Sequence, residues 1–133
     1  MGLVETQIRL SHPSRSDLNP VEAVCLVDTA TLMLCIPEHI AMQLGLETLH
    51  KREITLADGS RKTVPYVGPV KLEVANRACY SGALILGDQV LLGAMPMEDM
   101  DLVVHPATRR IMPNPASPNI ATAVVKNVSP LAA

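Results

Sequence analysis

The segment of residues 24–31 says the most about the architecture of this chain. An apolar run, residues 24–27, leads into a single acid, Asp28, which is followed by Thr29 and Ala30. Such a run predicts a buried strand that delivers a carboxylate toward the protein interior. A carboxylate is costly to bury unless it is paired, hydrogen-bonded or used for chemistry. Two interpretations stay open at this point: Asp28 closes a turn or caps a helix, or it takes part in catalysis.

Composition narrows the class of protein. The 133 residues suit one domain, and a hydrophobic content of 48% favours a folded core. That core must be aliphatic, because the chain has two Tyr, no Phe and no Trp. A net charge of -2 without a basic block, and the scarcity of aromatic side chains, argue against nucleic-acid binding. We see no signal-peptide pattern and no apolar stretch long enough to cross a membrane, so we expect a cytoplasmic protein with no membrane partner.

The cysteines and histidines indicate neither a disulfide framework nor a metal site. The three cysteines are odd in number and form no Cys-x-x-Cys pair, and the four histidines lack ligand spacing. Two of the cysteines lie in apolar runs, and we interpret them as core residues rather than nucleophiles. No metal and no organic cofactor is therefore expected. The residues concerned are Cys25 and Cys35 in the apolar runs, Cys79, His12, His39, His50 and His105.

Short strands separated by turns dominate the rest of the pattern. Residues 37–46 give the clearest helix, since Pro37 suits a first turn and Gly45 suits the position after the last turn. A second short helix is predicted over residues 94–100. Strands are predicted over residues 3–10, 21–27, 32–36, 52–56, 62–67, 70–75, 78–86, 90–93, 101–104 and 110–112.

A tight hairpin is indicated between two of these strands. Asp58 and Gly59 stand between two strand-like arms, which is a strong signal for a hairpin turn. The same pair is also common in tight turns that have no further role, and that interpretation stays open. The connecting residues are Ala57, Asp58, Gly59 and Ser60.

Four blocks within residues 20–112 resemble the retropepsin-like (retroviral-type) aspartic proteases, especially the small bacterial members of that clan. Each block alone is weakly specific, and their order along the chain carries the resemblance. The blocks are the apolar-Asp-Thr-small segment of residues 26–30, the strand and helix of residues 34–46, the hairpin of residues 56–60, and Leu91, Leu92 and Gly93 followed by a short helix.

The resemblance implies a fold and an assembly. The fold would be all-β, a retropepsin-like closed β-barrel with one or two short helices, and it would be homodimeric. Residues 1–118 would form the protease domain, and residues 119–133 a C-terminal edge strand or tail. The chain has one Asp-Thr block, so a twofold homodimer would supply the second Asp28 across its axis.

The implied activity is that of an aspartic-type endopeptidase acting on a peptide or protein substrate. Peptide hydrolysis by carboxylates needs one ionised group to take a proton from water and one neutral group to hydrogen-bond the substrate carbonyl. Two carboxylates within hydrogen-bonding distance of each other share one proton and titrate as a pair, as in aspartic proteases generally. The water would be activated by two Asp28 carboxylates, and we expect the rate to be highest at mildly acidic pH.

The resemblance also assigns roles around Asp28. Thr29 would brace the two active-site loops across the dimer axis, and the N–H group of Ala30 would orient the carboxylate. Leu92 and Gly93 would pack beneath the loop, with Gly93 permitting a close backbone approach. The turn would be a flap that closes over an extended peptide, and residues 62–66 would line the cleft. The flap residues are Ala57, Asp58, Gly59 and Ser60.

The chain departs from the family pattern at two places. Ala30 replaces the usual Gly, which would cost on the order of 1 kcal/mol if its φ were positive. After Gly93, the family often has Arg or another polar residue, whereas this chain has the apolar residues 94–96. A contact that stabilises the dimer in the family would therefore be missing. One alternative is therefore a catalytically weak or inactive retropepsin-like module that binds peptides or dimerises. Another is a monomeric β-barrel with an interior ligand pocket, in which Asp28 only caps a turn.

Overall fold

The computed structural model describes residues 3–105 and 107–126. Nine strands and two short helices follow one another in these residues. They are β1 (Glu5–Ser11), β2 (Val21–Val27), β3 (Cys35–Ile36), α1 (Glu38–Gln43), β4 (Glu47–Thr55), β5 (Arg61–Val74), β6 (Arg77–Ile85), β7 (Val90–Leu92), α2 (Ala94–Asp99), β8 (Leu102–His105) and β9 (Arg110–Pro113).

Six of the strands close into a barrel. The order of pairing is β1, β2, β7, β3, β6 and β5, and β5 pairs back with β1. Strand β4 pairs with β5 outside this ring, and β8 and β9 form a separate two-stranded sheet. The expected all-β class, with a closed barrel and one or two short helices, is confirmed.

The barrel interior is filled by aliphatic side chains, as the composition predicts. Residues alternate in burial along the strands, so that one side of each wall faces this core. The largest fully buried side chains include Ile8, Leu10, Leu34, Ile36, Leu44, Leu72, Leu92 and Met100.

Helix α1 is shorter than the predicted span of residues 37–46 but ends where expected. Gly45 has a φ of 61°, a conformation that glycine adopts without steric cost. Its N–H donates to the carbonyl of Met42 at 3.1 Å, and the N–H of Leu46 donates to that of Ala41 at 3.0 Å. These two bonds form a Schellman cap, which turns the chain into β4.

Strand β5 is longer than the sequence suggests. The sequence predicts separate strands over residues 62–67 and 70–75, because Gly68 and Pro69 look like a break. In the structure one strand runs through both, and its pairing with β6 shifts register between Val67 and Val70. The strand continues through Gly68 and Pro69 because the register shift accommodates them without ending the pairing. Strand β5 therefore belongs both to the barrel and to the hairpin with β4.

The C-terminal segment lacks the regular structure that one interpretation expected. Residues 119–126 form no strand within the single chain and are exposed; the assignment of residues 119–133 as an edge strand or tail stays a prediction. The prediction for residues 127–133 lies outside the described part of the chain. Over residues 3–105 and 107–126, no helix has the length and apolar character needed to span a membrane.

Candidate active site

Asp28 lies where β2 leaves the barrel wall. Strand β2 runs parallel to β7 with Val27 opposite Leu92, and the N–H of Asp28 donates to the carbonyl of Leu92 at 3.0 Å. The carbonyl of Asp28 then accepts the N–H of Thr31 at 3.1 Å. This bond closes a turn with Thr29 and Ala30 at its corner, so the apolar strand ends in a defined loop.

Both carboxylate oxygens of Asp28 accept hydrogen bonds from this turn. The N–H of Ala30 donates to Oδ1 at 3.0 Å, and the hydroxyl of Thr31 donates to Oδ2 at 2.9 Å. The first bond is the one that the resemblance implies. The second was missed, although an Asp followed three residues later by Thr is a spacing at which such local bonds form. The two bonds hold the carboxylate in one orientation.

The carboxylate is not delivered into the interior of the single chain. Asp28 is half-buried, and Thr29 and Ala30 are exposed. The expectation of a buried Asp28 is therefore wrong for one copy of the chain. The apolar run ends at the barrel surface because the turn begins at Asp28 itself.

Ala30 adopts an ordinary backbone conformation. Among the non-glycine residues of the described ranges, a positive φ occurs at Ala75, Asp101 and Arg109. Ala30 is not in this group, so replacing the family's Gly costs no backbone strain there. The substitution instead adds a methyl group at the cleft, whose wall includes Ala30.

Gly93 and the first turn of α2 support the loop from below. The N–H of Ala94 donates to the carbonyl of Thr31 at 2.8 Å, and that of Met95 donates to the carbonyl of Leu32 at 2.9 Å. A Cβ atom on Gly93 would lie 2.7 Å from the carbonyl carbon of Leu32, which is closer than real Cβ contacts. Glycine at this position lets the two backbones touch.

The predicted turn between β4 and β5 is present. The N–H of Leu56 donates to the carbonyl of Ser60 at 2.8 Å, and that of Gly59 donates to the carbonyl of Leu56 at 2.9 Å. Gly59 has a φ of 85°, and Asp58 Oδ1 accepts the N–H of Ser60 at 2.9 Å. Hydrogen bonds from Ser60 hold the pKa of Asp58 below its usual range. These bonds make the tip of the hairpin a tight turn.

A cleft of about 560 Å³ lies between the Asp28 loop and this hairpin. Its outer wall is β4, whose residues alternate so that Arg52 and Ile54 face inward while Lys51 and Glu53 are exposed. The expectation that residues 62–66 line the cleft is wrong, because β4 and β6 supply the wall. The arm of residues 62–66 belongs to β5, which lies between these two strands in the sheet. Ala57 reaches the cleft, whereas Asp58, Gly59 and Ser60 lie beyond its lining. The lining residues are Asp28, Ala30, Thr31, Leu32, Met33, Cys35, Arg52, Ile54, Thr55, Leu56, Ala57, Leu84 and Leu86.

The three thiols, of which only Cys35 lines the cleft, are unsuited to nucleophilic catalysis. Cys25, Cys35 and Cys79 are free and buried. Burial raises the pKa of Cys25 and of Cys79 to about 12. At Cys35, burial and, to a lesser degree, the charge of Asp28 raise the pKa. These thiols stay protonated at neutral pH, so the interpretation of Cys25 and Cys35 as core residues fits their surroundings.

The described part of the cleft holds a single acid. Asp28 is the carboxylate and Arg52 the cation among the lining residues that the structure describes, and the other side chains are mostly apolar. Within residues 3–105 and 107–126, no three His, Cys, Asp or Glu side chains group so as to hold a metal ion. The arrangement offers one oriented carboxylate, open to solvent, beside an apolar groove.

Comparison with known proteins gives a structural similarity and no detectable sequence relationship. No protein-family model matches the chain, and no curated protein matches it. Among solved structures, the chain is similar to the solution structure of simian foamy virus (mac) protease. The two share 14% sequence identity over 69% of this chain and 91% of that chain, with a TM-score of 0.48.

Proposed function

We propose that this chain is an aspartic-type endopeptidase that works as a homodimer, with one Asp28 from each copy. The observation that carries the proposal is the Asp28 carboxylate, which two hydrogen bonds orient at the foot of a cleft beneath the β4–β5 hairpin. A fixed, solvent-accessible carboxylate in an apolar groove suits acid-base chemistry on a bound peptide. The ordered motif blocks point to the small bacterial retropepsin-like proteins.

A second copy is needed because one carboxylate cannot serve as both base and acid. Asp28 is the single acid among the described lining residues. Thr29 and Ala30 are exposed beside it, so the loop is open to a symmetric partner. A twofold axis close to this loop brings two Asp28 side chains together. Thr29 then braces the two loops across the axis.

The proposed mechanism assigns one proton to the pair. An extended peptide lies along β4, and the hairpin tip of Ala57, Asp58, Gly59 and Ser60 covers it. One Asp28 takes a proton from water while the other hydrogen-bonds the scissile carbonyl, and the water oxygen bonds to the carbonyl carbon. The carbon-nitrogen bond then breaks, and the leaving amine takes a proton from the pair. Peptide or protein chains are the substrates.

The setting of the reaction is part of the proposal. A cytoplasmic location agrees with three buried cysteines that are free rather than joined in disulfides. The catalytic domain comprises residues 1–118, with Leu92 and Gly93 as the support under the Asp28 loop.

A second candidate is a module that binds peptides or dimerises without cutting them. The observation that favours it is the methyl group of Ala30 at the cleft, next to the carboxylate. A methyl group there takes up room that a glycine would leave for water or substrate. The hydrogen bonds to Asp28 would then only close the turn.

The test is the Asp28→Asn variant, assayed with dye-labelled, heat-unfolded casein at mildly acidic pH. Asparagine is nearly isosteric with aspartate and cannot take the proton from water, so we expect hydrolysis to fall at least about a thousandfold. Asp88→Asn is the matched control, since Asp88 lies in an exposed turn and should leave the rate unchanged. Sedimentation of both variants measures the dimer.

Each outcome decides between the candidates. Loss of hydrolysis in Asp28→Asn alone, with the dimer intact, supports the proposal. Hydrolysis that persists in Asp28→Asn overturns the assignment of Asp28. A dimeric wild-type protein that hydrolyses no casein favours the second candidate. A monomer at high concentration overturns the proposed dimeric enzyme and the dimerisation form of the second candidate.

A further inference from the structure

Arg52 is a cation without an ionic partner at the wall of the cleft. It lies on the inward face of β4 and is half-buried. Its Nη1 donates to Met33 Sδ at 2.9 Å, and a thioether sulfur is a weak acceptor. Within the described ranges the guanidinium forms no ion pair, whereas Arg61 pairs with Glu53 at 3.4 Å. Several N–H donors of Arg52 are therefore available to a ligand.

The side chain of Arg52 is held in position by an aromatic platform. Its guanidinium carbon lies 4.6 Å from the ring centroid of Tyr66. His50 stacks on the same ring, with centroids 4.6 Å apart and planes 16° apart. Tyr66 in turn lies over Gly82, where a Cβ atom would be 2.5 Å from ring atom Cε2. A guanidinium held in this way loses little freedom when it binds a carboxylate.

The hairpin around Arg52 is positively charged in an otherwise slightly acidic chain. Residues 51–62 contain four Lys and Arg residues against two acids, while the whole chain has a net charge of -2. Lys51 and Arg61 are exposed away from the cleft. Arg52 is the cation that faces the groove, where its neighbours are Met33 and Ile54. The wall thus combines apolar contacts with one positive charge.

We infer that Arg52 is a specificity-determining residue that binds an acidic side chain, Asp or Glu, of the peptide in the cleft. The inference rests on the peptide-binding part of the proposed function. It names the substrate class as peptides whose apolar residues occupy the groove and which carry an Asp or Glu close to those residues. A carboxylate completes the hydrogen bonding of the guanidinium, and the planar fork of Arg suits bidentate binding.

The test measures binding without hydrolysis. Fluorescent decapeptides with four central apolar residues carry one Glu or one Gln at each outer position in turn, and anisotropy gives their Kd for the Asp28→Asn protein. We expect the Glu peptide to bind about tenfold more tightly than its Gln counterpart at one position or more. Adding Arg52→Gln removes this preference, and adding Arg52→Lys keeps part of it. Lys51→Gln, on the outer face of the same strand, keeps all of it.

The possible results separate this inference from the proposed hydrolysis. The inference is overturned if no peptide binds or if Glu peptides bind no more tightly than Gln peptides. It is also overturned if the Glu preference survives Arg52→Gln, or if Lys51→Gln removes it to the same extent. If Arg52→Gln does not fold, as judged by circular dichroism, Arg52→Lys against Lys51→Gln decides. If the Glu preference depends on Arg52 but the wild-type protein cuts no peptide, the inference is supported and the proposed hydrolysis is refuted. If the protein hydrolyses peptides without such a preference, the proposed hydrolysis is supported and the inference is refuted.

Discussion

Asp28 closes a turn, and this role is compatible with the proposed role in catalysis. The N–H of Ala30 closes a turn on Asp28 Oδ1, as the simplest interpretation of the sequence requires. The same bond, with that of Thr31, fixes the plane of the carboxylate. Because a carboxylate has about four lone-pair sites, two local bonds leave acceptor positions for water or a second carboxyl group. The turn therefore leaves the carboxylate able to take part in the proposed reaction.

Thr31 provides a test of this orientation. Thr31→Val removes the hydroxyl but keeps the shape of the side chain, so Oδ2 of Asp28 loses its donor. We expect kcat/KM on labelled casein to fall about tenfold, because the carboxylate becomes mobile. The free energy of unfolding should fall by about 1 kcal/mol, a charged hydrogen bond discounted for partial exposure.

The conservative variant Thr31→Ser is the control for this prediction. Serine keeps the hydroxyl, so it should retain most of the activity, and urea denaturation of both variants separates orientation from stability. Equal rates for Thr31→Val and the wild-type protein would mean that the hydroxyl has no part in positioning Asp28.

Among the secondary-structure elements, the C-terminal strap, residues 114–122, is held to the fold by hydrogen bonds, and the carboxylate of Asp101, between α2 and β8, accepts most of them. Asp101 accepts hydrogen bonds from the Ser117 hydroxyl, from the side-chain amide of Asn114 at 3.1 Å and from the N–H of Thr122 at 3.0 Å. The buried guanidinium of Arg77 donates to the carbonyl of Ser117. The strap is thus ordered by polar contacts rather than by strand pairing.

These contacts predict how the strap responds to acid. The hydrogen bond from Ser117, followed by those from Thr122 and Asn114, holds the pKa of Asp101 far below its usual range. A lowered folded-state pKa stabilises the docked strap above the ordinary carboxyl pKa, and this contribution is lost only as the pH falls through the lowered value. The strap should therefore stay docked at mildly acidic pH.

Asp101→Asn tests the attachment at neutral pH. Asparagine tolerates the positive φ of 53° at this position, so the change removes the charge without adding backbone strain. We expect faster hydrogen exchange at the amides of Ser117 and Thr122, with the barrel strands unchanged. The exposed Asp99→Asn is the matched control. Equal exchange in the two variants would contradict the role of Asp101.

Elements set by local chemistry could be predicted from the sequence, and those set by distant pairing could not. The strand of residues 21–27 and the turn at Gly59 agree with the structure because apolar runs and Asp-Gly pairs act locally. Strand β4 begins at Glu47, well before the predicted residue 52, since its exposed residues show no alternation and pair with β5 through their backbones. The same limit applies to the cleft: only the fold shows which arm of the hairpin faces Asp28.

The site residues divide in the same way. The loop at Asp28 and the small residue at Gly93 stand out in the sequence because their types are unusual at those places. The platform of Arg52 on Tyr66 does not, because it depends on the register between β4 and β5. Contacts between strands carry little signal in a single sequence.

At the scale of the whole molecule, the proposed function gives each chain half of a two-carboxylate site. The proposed activity is then a property of the assembly, and it should depend on protein concentration. Below the dissociation constant of the dimer, we expect the rate to rise with the square of the concentration. A monomeric enzyme would give a linear dependence.

Mixing with an inactive copy sharpens this prediction. A ninefold excess of Asp28→Asn over the wild-type protein converts most wild-type chains into mixed dimers with one carboxylate each. With random exchange, the rate per wild-type chain should fall about tenfold. The same excess of serum albumin should have no effect. An unchanged rate with the Asp28→Asn chain would show that each copy works alone.

The bond from Asp28 to Leu92 also orders events during synthesis of the chain. Local hydrogen bonds close the loop that holds the carboxylate, but its support from below forms only when β7 lies beside β2, and β7 is made long after the loop itself. A nascent chain on the ribosome therefore carries Asp28 without its support until Leu92 and Gly93 have emerged. Under the proposed function, the growing polypeptide cannot cut its neighbours in a polysome before its own barrel has closed.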